Sequence, residues 1–582
     1  MESKEKRPEG SKPKKPSVFG LLKTYKNKVL VLLFVALFSN AINLVIPKII
    51  SHGIDDFTAG KLVFENILLE FFVAALVIFI FSYLQSILQT LVAELVARNL
   101  RTEVSEKISQ QSYTFVQKMN PAKLLTNLTS DIDSVKAFVS QAIVIIVSSI
   151  FMIFGTSAML LSINWRLGLA VIVVVPIIGG TFTIVIRKVS GLFKRSREII
   201  DKLNRIINES IMGAAVIRVL NSQQYESLKF VEINTEAKDL GMAILRLFTI
   251  LIPIIMFVAN LASITILALG GHFVVVGSMS LGDFAAFNTY LMLLIFPILM
   301  IGFMSNIIAQ AMASYRRIHE VLTAPDPETP GTVTESLQGD IRIENINFFY
   351  EDKPVLKNLS FSIKPGSKTA IIGPTAAGKS VLLQLLTGLL SPNSGSIEFN
   401  GKAISEFDKN AFHTQVGIVF QDSVMFNLSL RENIAFSDIV TDESLAKAIA
   451  TAELSDYIET LPNRLDTLVS ERGTSLSGGQ KQRIMLARAL AINPRILLLD
   501  DFTARVDRST EDKILSNLEA NYPELTLISV TQKIETVTHF DQIILLMEGE
   551  LIATGTHQEL LATCPEYVQI NNSQRSTQHY EL

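Results

Sequence analysis

Three short strings carry residues whose types and spacing suit chemistry on a phosphate ester. In the first, Gly373, Pro374, Thr375, Ala376, Ala377, Gly378, Lys379 and Ser380 form a glycine-framed loop ending in an ammonium and a hydroxyl. Backbone N–H groups and a helix N-terminus there would surround phosphates, Lys379 would reach the β and γ phosphates, and Ser380 would take a position on Mg2+. In the second, the apolar run Ile496–Leu499 ends in consecutive carboxylates, Asp500 and Asp501. Asp500 lies at the carboxyl end of a buried strand, where ligands of open α/β sheets bind, and it would hold the metal directly or through water. In the third, Leu476, Ser477, Gly478, Gly479 and Gln480 open a helical pattern whose N-terminus suits an anion.

These strings need particular elements around them. A G-x-x-x-x-G-K-[ST] string can arise by chance, so its context decides: "TAII" reads as a strand before the loop and "SVLLQLLTGLL" as a helix after it. "RILLLD" has the unbroken apolar character of a parallel strand buried on both faces. From Ile341 onward, short apolar strands alternate with helical patterns, which predicts an α/β P-loop domain over 339–582. Pro325, Pro327 and Pro330 mark the change of character, with a linker over 326–338.

The first half has a different solvent. Of 582 residues, 49% are hydrophobic, and mean hydropathy is +0.37, with the apolar residues concentrated before residue 310. A bilayer is crossed by roughly 20 apolar residues, and six stretches qualify, at about 28–50, 65–90, 138–162, 165–187, 247–272 and 280–305. An all-α transmembrane domain over 17–325 is expected. "INWRL" and "VVVGSMS" make tight hairpins on one side, while 91–137 and 188–246 are long, polar and helix-favouring, each built as two extended helices joined by a short turn. These intervals carry Arg98, Arg101, Lys107, Lys188, Lys194 and Arg195, whereas the loop "SHGIDDFTAGK" is mildly acidic. The positive-inside tendency therefore places the long intervals, both termini and the α/β domain in the cytoplasm, with the chain anchored in the plasma membrane.

Other classes are disfavoured. A net charge of -3 gives no case for nucleic-acid binding, and the single cysteine, Cys564, permits no intrachain disulfide. Residues 1–16 mix charge with proline and read as a solvated, disordered tail. Asn40, Asn43, Glu70, Gln85, Gln89, Gln141, Asn260 and His272 fall within the spans. Interhelical hydrogen bonding is the commoner fate of such groups, ahead of contact with a substrate. Phenylalanine clusters such as Phe71, Phe72, Phe79 and Phe81 more often face lipid or packing partners than a cargo cavity.

"LSGGQKQRIMLARAL" resembles the signature motif of ABC transporters, and "ERGTSLSGGQ" is similar to that of the exporter branch. The resemblance covers almost the whole chain: six spans followed by one nucleotide-binding domain look like an ABC exporter half-transporter. "PAKLLTNLTSDIDSVKAF" and "INESIMGAAVIRVLNSQQYE" are similar to the segments around the family's two coupling helices. The resemblance implies that Tyr350 stacks on the adenine of ATP and that Gln421 approaches Mg2+. It further implies that Glu471, Arg472 and Gly473 meet intracellular helices. Leu476, Ser477, Gly478, Gly479, Gln480 and Asp507 would then serve the ATP held by a second half-transporter.

Against that pattern, Asp501 is a departure. The family usually places Glu after the metal-binding Asp, to position and polarise the attacking water. Asp is one methylene shorter, leaving the carboxylate short by roughly an ångström, a misplacement that can cost on the order of a hundredfold in rate. Gln532 stands where the family's switch segment has His, and Gln has no acid–base chemistry. Ala504 and Arg505 occupy positions where Ser and Ala are more usual.

Together these departures resemble the degenerate-site subunit of a heterodimeric multidrug-type ABC exporter: one that binds ATP, hydrolyses it slowly and donates its signature to a partner carrying the catalytic Glu. The cargo implied is small and amphipathic, drug-like or lipid-like. Two alternatives stay open: a homodimer with two slow, equivalent sites, and a nucleotide-gated membrane regulator that does not pump.

Overall fold

The computed structural model describes residues 18–325, 331–350, 352–470 and 473–578. The tail over 1–16, Glu471, Arg472 and residues 326–330 lie outside the described residues. The chain divides into two units, Met1–Gln110 with Met119–Pro325, and Gln111–Lys118 with Asp326–Leu582.

Six helical segments in the first half are long and apolar enough to cross a membrane: Lys26–Thr58, Phe64–Gln110, Pro121–Ile163, Trp165–Met212, Gln223–Val275 and Leu281–Leu322. The first is broken at Leu44–Val45, because Pro47 has no N–H to continue the ladder and the chain re-enters a helix at Ile46. Tyr290 Oη donates to Leu44 O at 2.8 Å and so satisfies a carbonyl at the break. The hairpin at "INWRL" turns on Asn164, whose side chain accepts from the N–H groups of Arg166 and Leu167 and caps the helix that follows. The third segment contains π-helical turns at Asn127–Asp131 and Phe138–Ala142, and the fifth contains one at Ile266–Gly270. Periodicity in the sequence does not reveal these turns.

Both long polar intervals are helical nearly throughout. Phe64–Gln110 is a single helix of 47 residues, and a short helix, Tyr113–Met119, precedes Pro121. Asn120, at φ 67°, makes that turn and caps the next helix through Ala122 N. A second short helix, Ala214–Val219, lies between Met212 and Gln223.

The α/β unit holds ten strands among the described residues: β1 Ile341–Tyr350, β2 Lys353–Ile363, β3 Lys368–Ile372, β4 Ser394–Phe399, β5 Lys402–Ala403, β6 Val416–Val419, β7 Ile496–Asp500, β8 Thr526–Thr531, β9 Gln542–Met547 and β10 Glu550–Gly555. A four-stranded antiparallel sheet runs β2-β1-β4-β5, and a six-stranded sheet runs β10-β9-β3-β8-β7-β6. From β9 to β6 the larger sheet is parallel. Alternate residues of its central strands enter two separate cores, with Leu497 and Leu499 in one and Leu498 and Ile528 in the other. This two-faced burial is the reason those strands are apolar without alternation. Residues 331–338, expected as linker, pack on this unit: Val333 N donates to Glu406 O at 3.0 Å, and Leu337 is buried.

Candidate functional site

β3 delivers the chain to the loop Gly373–Gly378, and the helix Lys379–Leu386 leaves from it. Two glycines are sterically required. A Cβ on Gly373 would lie 2.1 Å from Leu546 O, while Gly378 has φ +90° and would meet a Leu356 methyl at 2.5 Å. Ala376 also takes a left-handed conformation, φ 66°, so the loop is a strained concavity of the sort found at ligand sites. Lys379 is buried and donates from Nζ to both Gly373 O and Pro374 O at 2.8 Å. Burial lowers its pKa, and the carboxylates of Asp501 and Asp500 oppose that shift.

Across β7, Ser380 Oγ donates to Asp500 Oδ1 at 3.3 Å. Asp500 is buried, which pushes its proton affinity up. The Ser380 hydrogen bond opposes the rise, Asp501 adds to it, Lys379 opposes it and Asp422 adds to it. A buried carboxylate 3.3 Å from a hydroxyl offers two oxygens that suit a hard divalent cation completed by phosphate and water; no group of three acidic, His or Cys side chains that could hold a metal by itself is present among the described residues. The ammonium and the open glycine loop fit the phosphates of a nucleotide. Asp422, next to Gln421, belongs to this electrostatic group and was not singled out from the sequence. Gln421 is exposed, and among the described residues no hydrogen bond joins it to Ser380 or Asp500.

Asp501 donates its backbone N–H to Val530 O at 3.0 Å and has φ +48°. Asp tolerates the left-handed region better than most residues, so the backbone here suits the shorter acid. Gln532 is exposed, and its carbonyl accepts from Gln574 Nε2 at 2.6 Å. Gln574 Oε1 in turn accepts from Ile534 N at 2.9 Å. One amide on the terminal helix Pro565–Gln578 thus holds the backbone on both sides of Lys533. No sequence signal marks Gln574, because its two partners lie about forty residues upstream. Tyr350 ends β1 with its ring half exposed, edge-on to Phe348 at 5.1 Å.

The third string opens a helix. Ser477 caps Gly478–Ala491 by accepting from Gln480 N at 3.3 Å, and Gln480 Oε1 accepts from Ser477 N at 2.8 Å. Leu476 anchors the turn against the core below. Arg505 packs on both glycines: a Cβ on Gly478 would lie 3.0 Å from Arg505 Cδ, and one on Gly479 would lie 2.9 Å from Arg505 O. Asp507 caps the helix Arg508–Asn521 through Thr510 N at 3.0 Å and accepts from Ser509 Oγ at 2.9 Å. These bonds hold its carboxyl down at about 2. Ser477, Gly478, Gly479, Gln480, Arg483, Arg505, Val506 and Asp507 line a shallow depression of about 480 Å³. No P-loop residue lines it, so one chain presents the cradle and the signature as separate surfaces.

Comparison with known proteins agrees with this architecture. Residues 29–298 match the ABC transporter transmembrane region family, and residues 356–504 match the ABC transporter family. The chain is 31% identical to a probable multidrug resistance ABC transporter ATP-binding/permease protein, YheI, of Bacillus subtilis (strain 168), over 93% of this chain and 94% of that one. It is 28% identical to an ATP-dependent lipid A-core flippase of Syntrophus aciditrophicus (strain SB), over 85% of this chain and 83% of that one. The structure of a bacterial Atm1-family ABC exporter with ATP bound superposes with a TM-score of 0.79 at 25% identity, covering 94% of this chain and 98% of that one. The fold and site define a membrane protein whose six-helix domain is fused to a P-loop nucleotide-binding domain. The chain belongs to the ABC transporter family and is a half-transporter of exporter type, a multi-pass plasma-membrane protein with its nucleotide-binding domain in the cytoplasm.

Proposed function

We propose that this chain is the weakly hydrolysing half of a heterodimeric ABC exporter of amphipathic compounds. The carrying observation is Asp501, a carboxylate one methylene shorter than the family's Glu, fixed at φ +48° beside the buried Asp500. Lys379 and the loop Gly373–Gly378 would hold the phosphates of ATP. Ser380 and Asp500, with Gln421 as a further oxygen donor, would hold Mg2+, which when bound supplies charge neutralisation at the β and γ phosphates. Asp501 orients water poorly, and Gln532 offers a hydrogen bond but no proton exchange. ATP therefore dwells in this chain's own cradle, while Ser477, Gly479 and their helix N-terminus complete the partner's site. A partner half with Glu after its metal-binding Asp performs most of the turnover. The names of the two relatives support a drug-like or lipid-like cargo.

The test is Mg-ATP binding and turnover by this chain purified alone in lipid, then with a candidate partner half. Tight binding with negligible turnover, rescued by the partner, is expected. Robust turnover by the chain alone would establish a homodimer in which Asp501 is the working carboxylate.

A further inference from the structure

The parallel ladder of the larger sheet ends where the chain leaves β8. Ile372, the last residue of β3, pairs with Thr531, and Asp500, the last of β7, pairs with Val530. Gln532 therefore emerges between the strand that feeds the glycine loop and the strand that carries Asp500. Beyond Thr531 neither neighbouring strand pairs with the chain, yet the backbone on both sides of Lys533 is bonded. Gln574 Nε2 donates to Gln532 O at 2.6 Å, and Gln574 Oε1 accepts from Ile534 N at 2.9 Å. One side-chain amide thus makes the two bonds that a residue of a further strand would make. Lys533 N donates to Thr531 Oγ1 at 3.1 Å, so successive backbone groups from Gln532 O to Ile534 N are fixed.

The helix Pro565–Gln578 places that amide. Tyr567 is fully buried with its hydroxyl 2.7 Å from His557 Nδ1, Ile570 packs on the same core, and Asn571 is buried. Gln574 follows these three at i+7, i+4 and i+3, which puts it on the same inner face of the helix. Ile534 belongs to that core as well, so its side chain anchors the loop from below while Gln574 holds the backbone. From a second element, the helix Arg508–Asn521, Arg508 pairs with Glu535. By contrast, Gln532 is exposed, and its side-chain amide bonds to no other described residue.

We propose that Gln574 is a positioning residue for recognition of the γ-phosphate: it fixes the backbone from which Gln532 offers its side-chain hydrogen bond to bound ATP. The proposal rests on the reading of Gln532 as the γ-phosphate contact. On an unfixed loop the nucleotide itself would have to order the backbone, and that ordering opposes binding. With the backbone held beforehand, the bond from Gln532 appears in full as preference for a triphosphate over a diphosphate. ADP lacks the group that Gln532 meets, so its affinity is independent of the arrangement. A residue that only packed the helix would support the cradle for both nucleotides alike.

The experiment uses the full chain in lipid nanodiscs with Mg2+ and two competitors of a fluorescent nucleotide: ADP and the β,γ-imido analogue of ATP, which is not turned over. The readout is the preference for the analogue over ADP in the parent, Gln574→Met, Gln532→Ala and the double variant. Met keeps the length and helix propensity of Gln without its amide, so packing is retained. Gln574→Met is expected to lower the preference about threefold to tenfold, as for the loss of one net hydrogen bond, with ADP affinity within about twofold of the parent. Gln532→Ala lowers it by a similar or larger factor. The double variant loses no more than Gln532→Ala alone, the non-additivity expected of two residues that act as a unit. An unchanged preference in Gln574→Met beside a lowered one in Gln532→Ala would overturn the positioning role. So would additive losses, or a fall in ADP affinity equal to that for the analogue, either of which marks a residue that supports the fold at large. An unchanged preference in Gln532→Ala would instead overturn the γ-phosphate reading on which the proposal stands.

Discussion

Asp501 joins two physical constraints in one side chain. Its carboxylate is one methylene shorter than that of Glu, and its left-handed backbone favours Asp over a longer acid. Asp501→Glu is therefore expected to raise turnover at this chain's own cradle by at least about tenfold, within the roughly hundredfold attributable to an ångström of misplacement. Single-turnover hydrolysis of pre-bound Mg-ATP measures it, and an unchanged rate would show that carboxylate reach is not limiting. Glu511 makes a separate, pH-dependent prediction. It is 3% exposed in the helix that Asp507 caps. Burial pushes its carboxyl up to about 7, opposed by Lys533, aided by Asp512 and opposed by Arg508. Below the ordinary glutamate value of 4.5 the group is protonated whether folded or unfolded. Between there and about 7 the folded state keeps a proton that the unfolded state has lost, so stability falls as pH rises through that window. Glu511→Gln should melt higher than the parent at pH 8, with the difference vanishing near pH 5. Parallel melting curves across that range would contradict this.

Among the elements, the helix Pro565–Gln578 has a role beyond covering the core, since Gln574 grips the backbone after β8 at Gln532 O and Ile534 N. Two such hydrogen bonds, at about 1 kcal/mol each, hold the strand-to-loop exit after β8 in one geometry. Gln574→Ala should accelerate hydrogen exchange at the Ile534 amide about fivefold to thirtyfold, without moving the global melting midpoint by more than a few degrees. Unaltered exchange would mean that the loop is held by other contacts. In the membrane unit, Asp55 accepts from Ser280 Oγ at 2.7 Å and Gly282 N at 2.8 Å, tying the end of the first apolar segment to the start of the sixth. Gly282 permits this approach, because a Cβ there would lie 2.0 Å from Ser51 O.

For the assembled transporter, the separation of cradle and signature within one chain is the consequential feature. If the signature serves a partner, Ser477→Arg should abolish most turnover of the mixed dimer while this chain's own ATP binding stays at the parental level. Photolabelling of Lys379's cradle with an azido-ATP, alongside phosphate release, separates the two. Loss of labelling on this chain would mean that Ser477 supports its own nucleotide, and undiminished turnover would mean that the signature is not used in trans.

Six apolar helices and an α/β P-loop unit were legible in the sequence, because hydropathy runs, strand-loop-helix order and turn chemistry are local properties of contiguous residues. The glycine loop was legible as a contiguous string, although the close approaches that require Gly at 373 and 378, to Leu546 and Leu356, come from distant chain. Tertiary structure alone decided which polar residues in the spans found partners. Asn40 reaches Ser148 and Gln89 reaches Ser140 O, while Gln85 is left facing a cavity and Glu70 is exposed on its helix. It also decided that Gln574 holds the backbone at Gln532 and Ile534 and that Asp422 adds to the field at Asp500. The reason is physical: helix and strand periods determine which face a residue occupies, but the group opposite it comes from chain tens to hundreds of residues away.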